Sequence, residues 1–365
     1  MDFVLLFVQY TNKPMTINVV KIFLPTAFAF FVGIMGTPFL TAFLYKHKMW
    51  KVSGVKKTLD GREATISSKL HNDEERKTPR MGGVVVWGSV TITVLLFFVL
   101  SELFPSSVFS KLSFLSRNQT WLPFLTLIAG ALFGLIDDYL VCREAGSYMG
   151  GGLSLRIRLA FVSLLAAIGG WWFYVKLGVD SLHIPFAGDI HLGIFFIPLF
   201  IIVMIGIYSG GIIDGVDGLS GGVFASIFSA YAVIAFAQGQ IDLAAFSTVV
   251  VGGLLAFLWF NIPPARFFNS ETGTMALTTS LTVVAFLTKA VLVLPIIAFL
   301  LVITSASSLI QILSKKFRNG KKVFVVAPLH NHFQAIGWPP YKVTMRYWVL
   351  SVIFAIIGTI IALIG

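Results

Sequence analysis

Residues 121–138 read WLPFLTLIAGALFGLIDD, an apolar stretch as long as a membrane span that ends on Asp137 and Asp138. A helix needs roughly 20 mostly apolar residues to cross about 30 Å of hydrocarbon. The chain contains further stretches of this kind, near residues 19–44, 82–103, 157–175, 193–210, 220–237, 243–260, 274–288, 290–314 and 343–364. We therefore predict an all-α polytopic membrane protein with about ten transmembrane helices.

The composition supports the same fold class. Hydrophobic residues make up 57% of the 365 residues and charged residues only 12%, and the mean hydropathy is +0.89. No long polar block separates the apolar stretches, so residues 1–365 are predicted to form a single integral membrane domain. The apolar segment Phe3 to Val8 is too short for a cleavable signal peptide, and acidic Asp2 precedes it.

Lys and Arg are distributed unequally between the two sets of loops. Most of the 27 basic residues fall in or beside the loops at 45–80, 143–158 and 315–346. By the positive-inside rule this side should be cytoplasmic, which leaves both termini outside. The net charge of +11 then reflects this loop bias and attraction to anionic head groups, and no nucleic-acid partner is needed to explain it.

The outer loop at 177–192 has a different pattern. Leu182 to Phe186 and Ile190 to Leu192 alternate around a turn signal at Gly188-Asp189. This pattern predicts a small β-hairpin that caps the outer face.

Three groups of carboxylates lie at predicted helix ends on the basic side. Asp137 and Asp138 end one span, and a nearby cation or a shared proton would offset their repulsion. Asp214 and Asp217 lie in a glycine-rich loop without Lys or Arg, which suits a hard cation such as Mg²⁺. Glu271 opens a later span. A simpler explanation remains for each group: a solvated helix end, a Gly/Asp turn and a partner for the helix dipole.

Histidines and basic groups lie on the same side. His330 and His332 fall in Pro328–Phe333, where phosphate binding or proton transfer suits them better than zinc, because the chain has one cysteine and no second nearby histidine pair. A plain surface loop is the alternative. The basic stretch Arg76–Gly83 either holds a lipid phosphate or only satisfies topology. Together these groups indicate a phosphoryl-transfer centre at the inner leaflet.

These motifs, in this order, resemble the polyprenyl-phosphate N-acetylhexosamine-1-phosphate transferases over about residues 30–365. The family has ten helices with both termini outside, in agreement with the predicted topology. Its muramoyl-pentapeptide branch is indicated by Pro328–Phe333, Gly337-Trp338, Lys342-Val343, Arg346, Thr78-Pro79, Met81–Gly83 and Gly152–Ser154.

The resemblance implies a reaction and its partners. Phospho-MurNAc-pentapeptide would pass from UDP-MurNAc-pentapeptide to undecaprenyl phosphate, which gives lipid I and UMP for peptidoglycan synthesis. Mg²⁺ is the implied cofactor, and the bacterial cytoplasmic (inner) membrane, with the active site facing the cytoplasm, is the implied location. The resemblance also implies that membrane lipid surrounds the protein as a partner. The oligomeric state stays open, with a homodimer among the options.

The resemblance also implies roles for matching residues. Glu271, with Asp137 or Asp214 assisting, would hold the metal. The catalytic group would comprise Asp137, Asp138, Asp214, His330 and His332, with either Asp137 or Asp138 orienting or deprotonating the acceptor phosphate. The substrate-binding group would comprise Asp217, Lys77, Thr78, Arg143, Asn261 and Asn331.

This chain departs from the family pattern at several positions. Val141 replaces a lysine, Tyr208 and Gly211 replace asparagines, Glu271 replaces an aspartate, and Asn331 replaces the middle of three histidines. The first basic motif has one extra residue and contains Glu74 and Glu75. Every acidic position nevertheless keeps a carboxylate, which favours activity in a divergent member.

Two other functions are compatible with parts of the pattern. A sister transferase would use UDP-GlcNAc or another UDP-N-acetylhexosamine, and the element at 330–333 argues against it. A non-catalytic lipid or solute transporter would carry charged groups near the middle of its spans. Such groups are scarce here, and Lys289, the main exception, falls at a predicted helix end.

Overall fold

The protein is described by a computed structural model that covers residues 14–51, 77–106, 108–146 and 151–365. The segment at 3–8, which we expect to be too short for a cleavable signal peptide, lies outside the described residues. So do residues 52–76, which make up much of the first predicted loop.

The described chain is mainly helical. In chain order the helices are α1 (Pro14–Lys46), α2 (Val84–Leu103), α3 (Val108–Leu112), α4 (Trp121–Arg143), α5 (Leu155–Trp171), α6 (Phe196–Ser209), α7 (Leu219–Ala237), α8 (Ile241–Asn261), α9 (Ser270–Leu287), α10 (Leu294–Ile297), α11 (Phe299–Phe317), α12 (Leu329–Ala335) and α13 (Pro340–Ile364). A π-helical turn, Trp172–Lys176, extends α5, and 3₁₀ turns at Gly193–Phe195 and Gly210–Ile213 flank α6.

Within the described ranges, nine helices are long and apolar enough to cross a membrane. They match nine of the ten predicted spans and confirm an all-α, multi-pass membrane protein. The remaining predicted span, at 274–288, corresponds to α9, which is rich in Ser and Thr. Residues 272–286 of α9 are all buried, so this helix is surrounded by protein rather than by lipid.

The polar side chains of α9 are satisfied inside the bundle. Thr279 Oγ1 donates to the Thr126 carbonyl at 2.9 Å, and Ser280 Oγ donates to the Pro123 carbonyl at 3.0 Å. Both acceptors belong to α4. These bonds hold α4 and α9 together where hydrophobic burial cannot distinguish a neighbouring helix from lipid.

Glycine lets α4 and α9 approach closely. A Cβ atom at Gly134 would lie against the backbone carbonyl of Glu271, and one at Gly130 would lie 2.7 Å from the carbonyl oxygen of Met275. This close packing brings the end of α4, with its two aspartates, beside the beginning of α9.

The predicted hairpin is confirmed. Strands β1 (Ser181–Ile184) and β2 (Gly188–His191) pair antiparallel, with Ser181 opposite His191. The turn occupies residues 185–187, earlier than the expected Gly-Asp turn, because Gly188 with φ of +88° already begins β2.

The hairpin and the carboxylates lie at opposite ends of the bundle. Thr272, at the start of α9, bonds Asp138, while Lys289, just after its end, lies 3.7 Å from Asp189 of the hairpin. At 1.5 Å per residue, the 18 residues of α9 separate these ends by about 27 Å. The chemistry-bearing residues therefore share one end of the helices.

We predict that Gly134→Ala destabilises the protein by roughly 2 kcal/mol, because the added methyl group must displace the α9 backbone. Gly206→Ala in α6 is the matched control, since a Cβ there meets nothing within 4 Å. Thermal unfolding in one detergent measures both variants. Equal melting temperatures for the two variants would contradict the close packing of α4 on α9.

Candidate active site

A cavity of about 170 Å³ opens at the carboxylate end of the bundle. It is lined by Lys51, Arg80, Asp137, Val141, Gly152, Arg158 and Glu271. Two carboxylates and three cationic side chains therefore face the same small space. Burial, followed by the charge of Arg80, lowers the pKa of the Lys51 ammonium.

Asp138 lies behind the cavity and is fully buried. Arg80 holds its Oδ1 with Nε at 3.0 Å and Nη2 at 2.9 Å. Thr272 holds its Oδ2 with the backbone N–H at 2.9 Å and the hydroxyl at 2.6 Å. Burial alone would lower the pKa of Arg80, but the neighbouring Asp138 carboxylate raises it overall. Arg80 therefore remains charged, and both oxygens of Asp138 are occupied.

Asp137 faces the cavity instead. Its Oδ1 accepts from the Leu153 N–H at 2.6 Å, and its Oδ2 lies 4.0 Å from Arg158 Nη1. Successive residues of a helix point about 100° apart, so Asp137 and Asp138 occupy different surroundings. Of the two aspartates, Asp137 has the carboxylate that a ligand in the cavity can reach.

Glu271, in the first turn of α9, completes the anionic side of the cavity. Its Oε1 accepts a bond from Arg158 Nη1 at 2.6 Å, so one guanidinium lies between Glu271 and Asp137. Arg158 comes from the first turn of α5, behind the N-cap Ser154. A cation at a helix N-terminus opposes the helix dipole, and the two carboxylates offset this cost.

Asp214 is placed next to the cavity but does not line it. Its Oδ1 accepts from Ser220 Oγ and its Oδ2 from the Ser270 N–H, each at 2.7 Å. Burial raises the pKa of Asp214, and these two hydrogen bonds partly oppose the rise. Asp214 thus connects the α6–α7 loop to the residue before Glu271.

The histidine element reaches the same region. His330 is fully buried, and a Cβ on Gly215 would lie against its imidazole ring. His332 Nδ1 accepts from the Val325 N–H at 3.3 Å. Asn331 is buried, and its Oδ1 has no hydrogen-bond partner within the part of the chain that the structure describes. His330 is therefore adjacent to the loop that carries Asp214.

The remaining predicted substrate residues fall into two groups. Asp217 accepts from the Ala265 N–H at 3.0 Å, and Asn261 bridges the Gly218 N–H and the Phe267 carbonyl at 2.8 Å each, so both hold loops together. The other three do not line the cavity: Lys77 and Arg143 are exposed, and Thr78 is partly buried. Arg143 lies over the Tyr139 ring, 5.6 Å from its centroid.

Sequence reasoning missed the two arginines that organise this site. Arg80 falls in the basic stretch Arg76–Gly83, for which binding of a lipid phosphate is one alternative, and Arg158 counts in the sequence only as a basic loop residue; neither is predicted to pair with the carboxylates. An anionic partner for Arg158 could have been predicted, because a cation in the first turn of a helix is unfavourable unless an anion lies nearby. The indication for Arg80 is weaker: Asp137 and Asp138 require a nearby cation, and Val141 does not supply it.

The donor set can be tested against a divalent metal. Across residues 14–51, 77–106, 108–146 and 151–365, no three His, Cys, Asp or Glu side chains are grouped as metal ligands. Magnesium sites commonly use only one or two carboxylates, with water and substrate phosphates completing the shell. Asp137 and Glu271 meet that need, and the guanidinium between them shows that the geometry accepts a cation.

Comparisons with known proteins identify similar sequences. Residues 120–289 match glycosyl transferase family 4. Three relatives named phospho-N-acetylmuramoyl-pentapeptide-transferase are similar over most of their length. The protein of a Geobacillus species is 36% identical over 77% of this chain and 82% of its own. The corresponding values are 32%, 93% and 97% for Anoxybacillus flavithermus, and 30%, 92% and 97% for Listeria innocua.

We predict that Arg80→Gln destabilises the protein by roughly 3 kcal/mol, because it leaves a buried, charged Asp138. Combining it with Asp138→Asn should recover much of the loss. Lys46→Gln, which removes an exposed cation at the end of α1, is the control and should change nothing. Unfolding measurements on the double-mutant cycle give the coupling. A coupling near zero would mean that the pair does not stabilise the fold.

Proposed function

Because this chain belongs to the phospho-N-acetylmuramoyl-pentapeptide transferase family, we propose that it transfers phospho-MurNAc-pentapeptide from UDP-MurNAc-pentapeptide to undecaprenyl phosphate. The products are lipid I and UMP. The chain is a multi-pass membrane enzyme, and such an enzyme suits a reaction whose acceptor is anchored in the bilayer while its donor is dissolved in water.

One observation carries this proposal. Asp137, Glu271, Arg158 and Arg80 line a single cavity at one end of the membrane helices. Carboxylates hold a divalent cation, and guanidinium groups bind phosphate oxygens in a planar fork. A diphosphate donor needs both, because charge develops on the leaving phosphate as its bond breaks.

Mg²⁺ is the cofactor we propose, held by Glu271 and Asp137. When bound, it would supply positive charge to the donor diphosphate while the bond between its two phosphates breaks. Asp214 supports Glu271 from outside the cavity, because its Oδ2 fixes the Ser270 N–H. The longer side chain of Glu271 reaches the cavity from the first turn of α9, where relatives of the resembled family carry an aspartate.

Between the two adjacent aspartates, Asp137 is the better candidate to orient the acceptor phosphate. Three hydrogen bonds and one ion-pair contact from Arg80 and Thr272 use both oxygens of Asp138, which supports a positioning role for that residue. An oxygen of the acceptor phosphate forms the new bond to the sugar-linked phosphorus, and the bond to the UMP phosphate breaks. Arg80 and Lys51 offset the charge of the two phosphates that meet there.

The histidine element is the proposed contact for the sugar-side phosphate or the muramoyl group. His330 packs beside Gly215, and the unpartnered Oδ1 of Asn331 is an acceptor in the same short helix. Asp217, Asn261, Lys77, Thr78 and Arg143 remain candidates for donor binding through the loops. The enzyme is proposed to lie in the bacterial cytoplasmic membrane, with its carboxylate end facing the cytoplasm.

The function is tested by UMP release from purified, reconstituted protein with undecaprenyl phosphate as acceptor. We expect release with UDP-MurNAc-pentapeptide and Mg²⁺, and at least tenfold less with UDP-GlcNAc, since a site built for a peptide-bearing donor leaves polar groups unpaired with a smaller one. The reverse preference would assign the chain to a different sugar donor.

We predict that Glu271→Gln lowers Mg²⁺-dependent UMP release by at least a hundredfold, whereas Glu271→Asp retains clearly more activity because the carboxylate is kept. The rate is measured as a function of Mg²⁺ concentration, with thermal unfolding as the control for folding. Equal losses in both variants would count against direct metal ligation by Glu271.

A further inference from the structure

Arg158 occupies the position that a metal would need. Its Nη1 lies 2.6 Å from Glu271 Oε1 and 4.0 Å from Asp137 Oδ2, and the side chain is 16% exposed toward the cavity. These are the two carboxylates proposed to hold Mg²⁺. The same guanidinium thus offsets part of the negative charge of both carboxylates.

The two arginines of the site are held differently. Two nitrogens of Arg80 contact Oδ1 of Asp138, and Thr272 donates a hydrogen bond to Oδ2 of the same aspartate. Arg158 presents a single nitrogen to Glu271 at bonding distance, while its separation from Asp137 is longer. Arg80 is therefore fixed to one carboxylate, whereas Arg158 divides its contacts between two carboxylates and the Tyr208 hydroxyl.

A guanidinium and a divalent cation compete for these carboxylates. Both are attracted by the same negative charge, and two cations a few ångströms apart in a partly buried site repel each other strongly. Binding of one therefore disfavours binding of the other. Among the described residues that line the cavity, those other than the two carboxylates are cationic or neutral, so a phosphate-bearing substrate would give the displaced guanidinium a new anionic partner.

We propose that Arg158 is an exchangeable counter-ion of the metal site. In the metal-free protein it contacts both Asp137 and Glu271. When the divalent cation binds, Arg158 leaves these carboxylates and then turns into the cavity to bind a phosphate of the donor. By binding that phosphate Arg158 would contact the substrate directly, and the inference rests on the proposed function. The buried Tyr208 hydroxyl also bonds Arg158.

The first test measures metal affinity in metal-free, detergent-purified protein. Arg158→Gln removes the competing cation, so we expect it to bind Mn²⁺ about tenfold more tightly than wild type, read by electron paramagnetic resonance of free Mn²⁺ at about pH 8. Arg156→Gln, an exposed cation on the same helix turn, is the matched control and should bind like wild type. Arg158→Lys should restore an affinity within about threefold of wild type, because it restores a counter-ion.

Loss of a merely structural arginine would leave Mn²⁺ affinity unchanged or weaker, and either result would overturn the proposal. A second measurement uses the wild-type protein, so it does not depend on the folding of any variant. Mn²⁺ should increase the modification of Arg158 by phenylglyoxal, quantified by mass spectrometry of its peptide. Modification that stays constant or falls would also overturn the exchange.

The failure of this inference can be distinguished from failure of the proposed function. Wild-type UMP release is measured on the same preparation. An active wild type with unaltered Mn²⁺ affinity in Arg158→Gln would reject the exchange and leave the transferase function standing. Absence of UMP release from wild type, together with tighter Mn²⁺ binding in Arg158→Gln, would reject the transferase and keep the counter-ion exchange.

Discussion

The structure depends on pairing carboxylates with guanidinium groups where the helices meet the membrane boundary. An unpaired charge is expensive there, because water is scarce and the surrounding bundle is apolar. Arg80 meets this requirement for Asp138, and Arg158 meets it for Glu271. These pairs join the end of α4, the start of α5 and the start of α9 around the cavity, where glycines already let α4 and α9 approach closely.

Local patterns were enough to predict much of the fold. Nine apolar spans were recognisable because hydropathy is a property of each segment alone, and the hairpin at 181–191 because its alternation is local too. The collection of acidic residues at one end followed from topology. The helix α9 was the hardest to delimit, since its threonines and serines are satisfied by α4 and its burial is a tertiary property.

The different surroundings of the neighbouring residues Asp137 and Asp138 could not be predicted from the sequence. Asp137 and Asp138 are chemically identical in sequence, and only the packed structure shows that one is enclosed by Arg80 and Thr272 while the other faces a cavity. Asp138 is separated by 58 residues from its partner Arg80 and by 134 residues from its partner Thr272. The bond from Arg158 to Glu271 joins residues that are 113 positions apart. Such pairings are outcomes of folding, so the residues that pair could not be predicted from composition or from spacing along the chain.

The order of these pairs along the chain bears on how the protein is made. Arg80 precedes Asp138, and Arg158 precedes Glu271, so each cation has been synthesised before the anion that it neutralises. Domains and their segments form from the N-terminus during translation. As the ribosome delivers successive helices to the bilayer, each of these two acids therefore meets a partner that has already been synthesised.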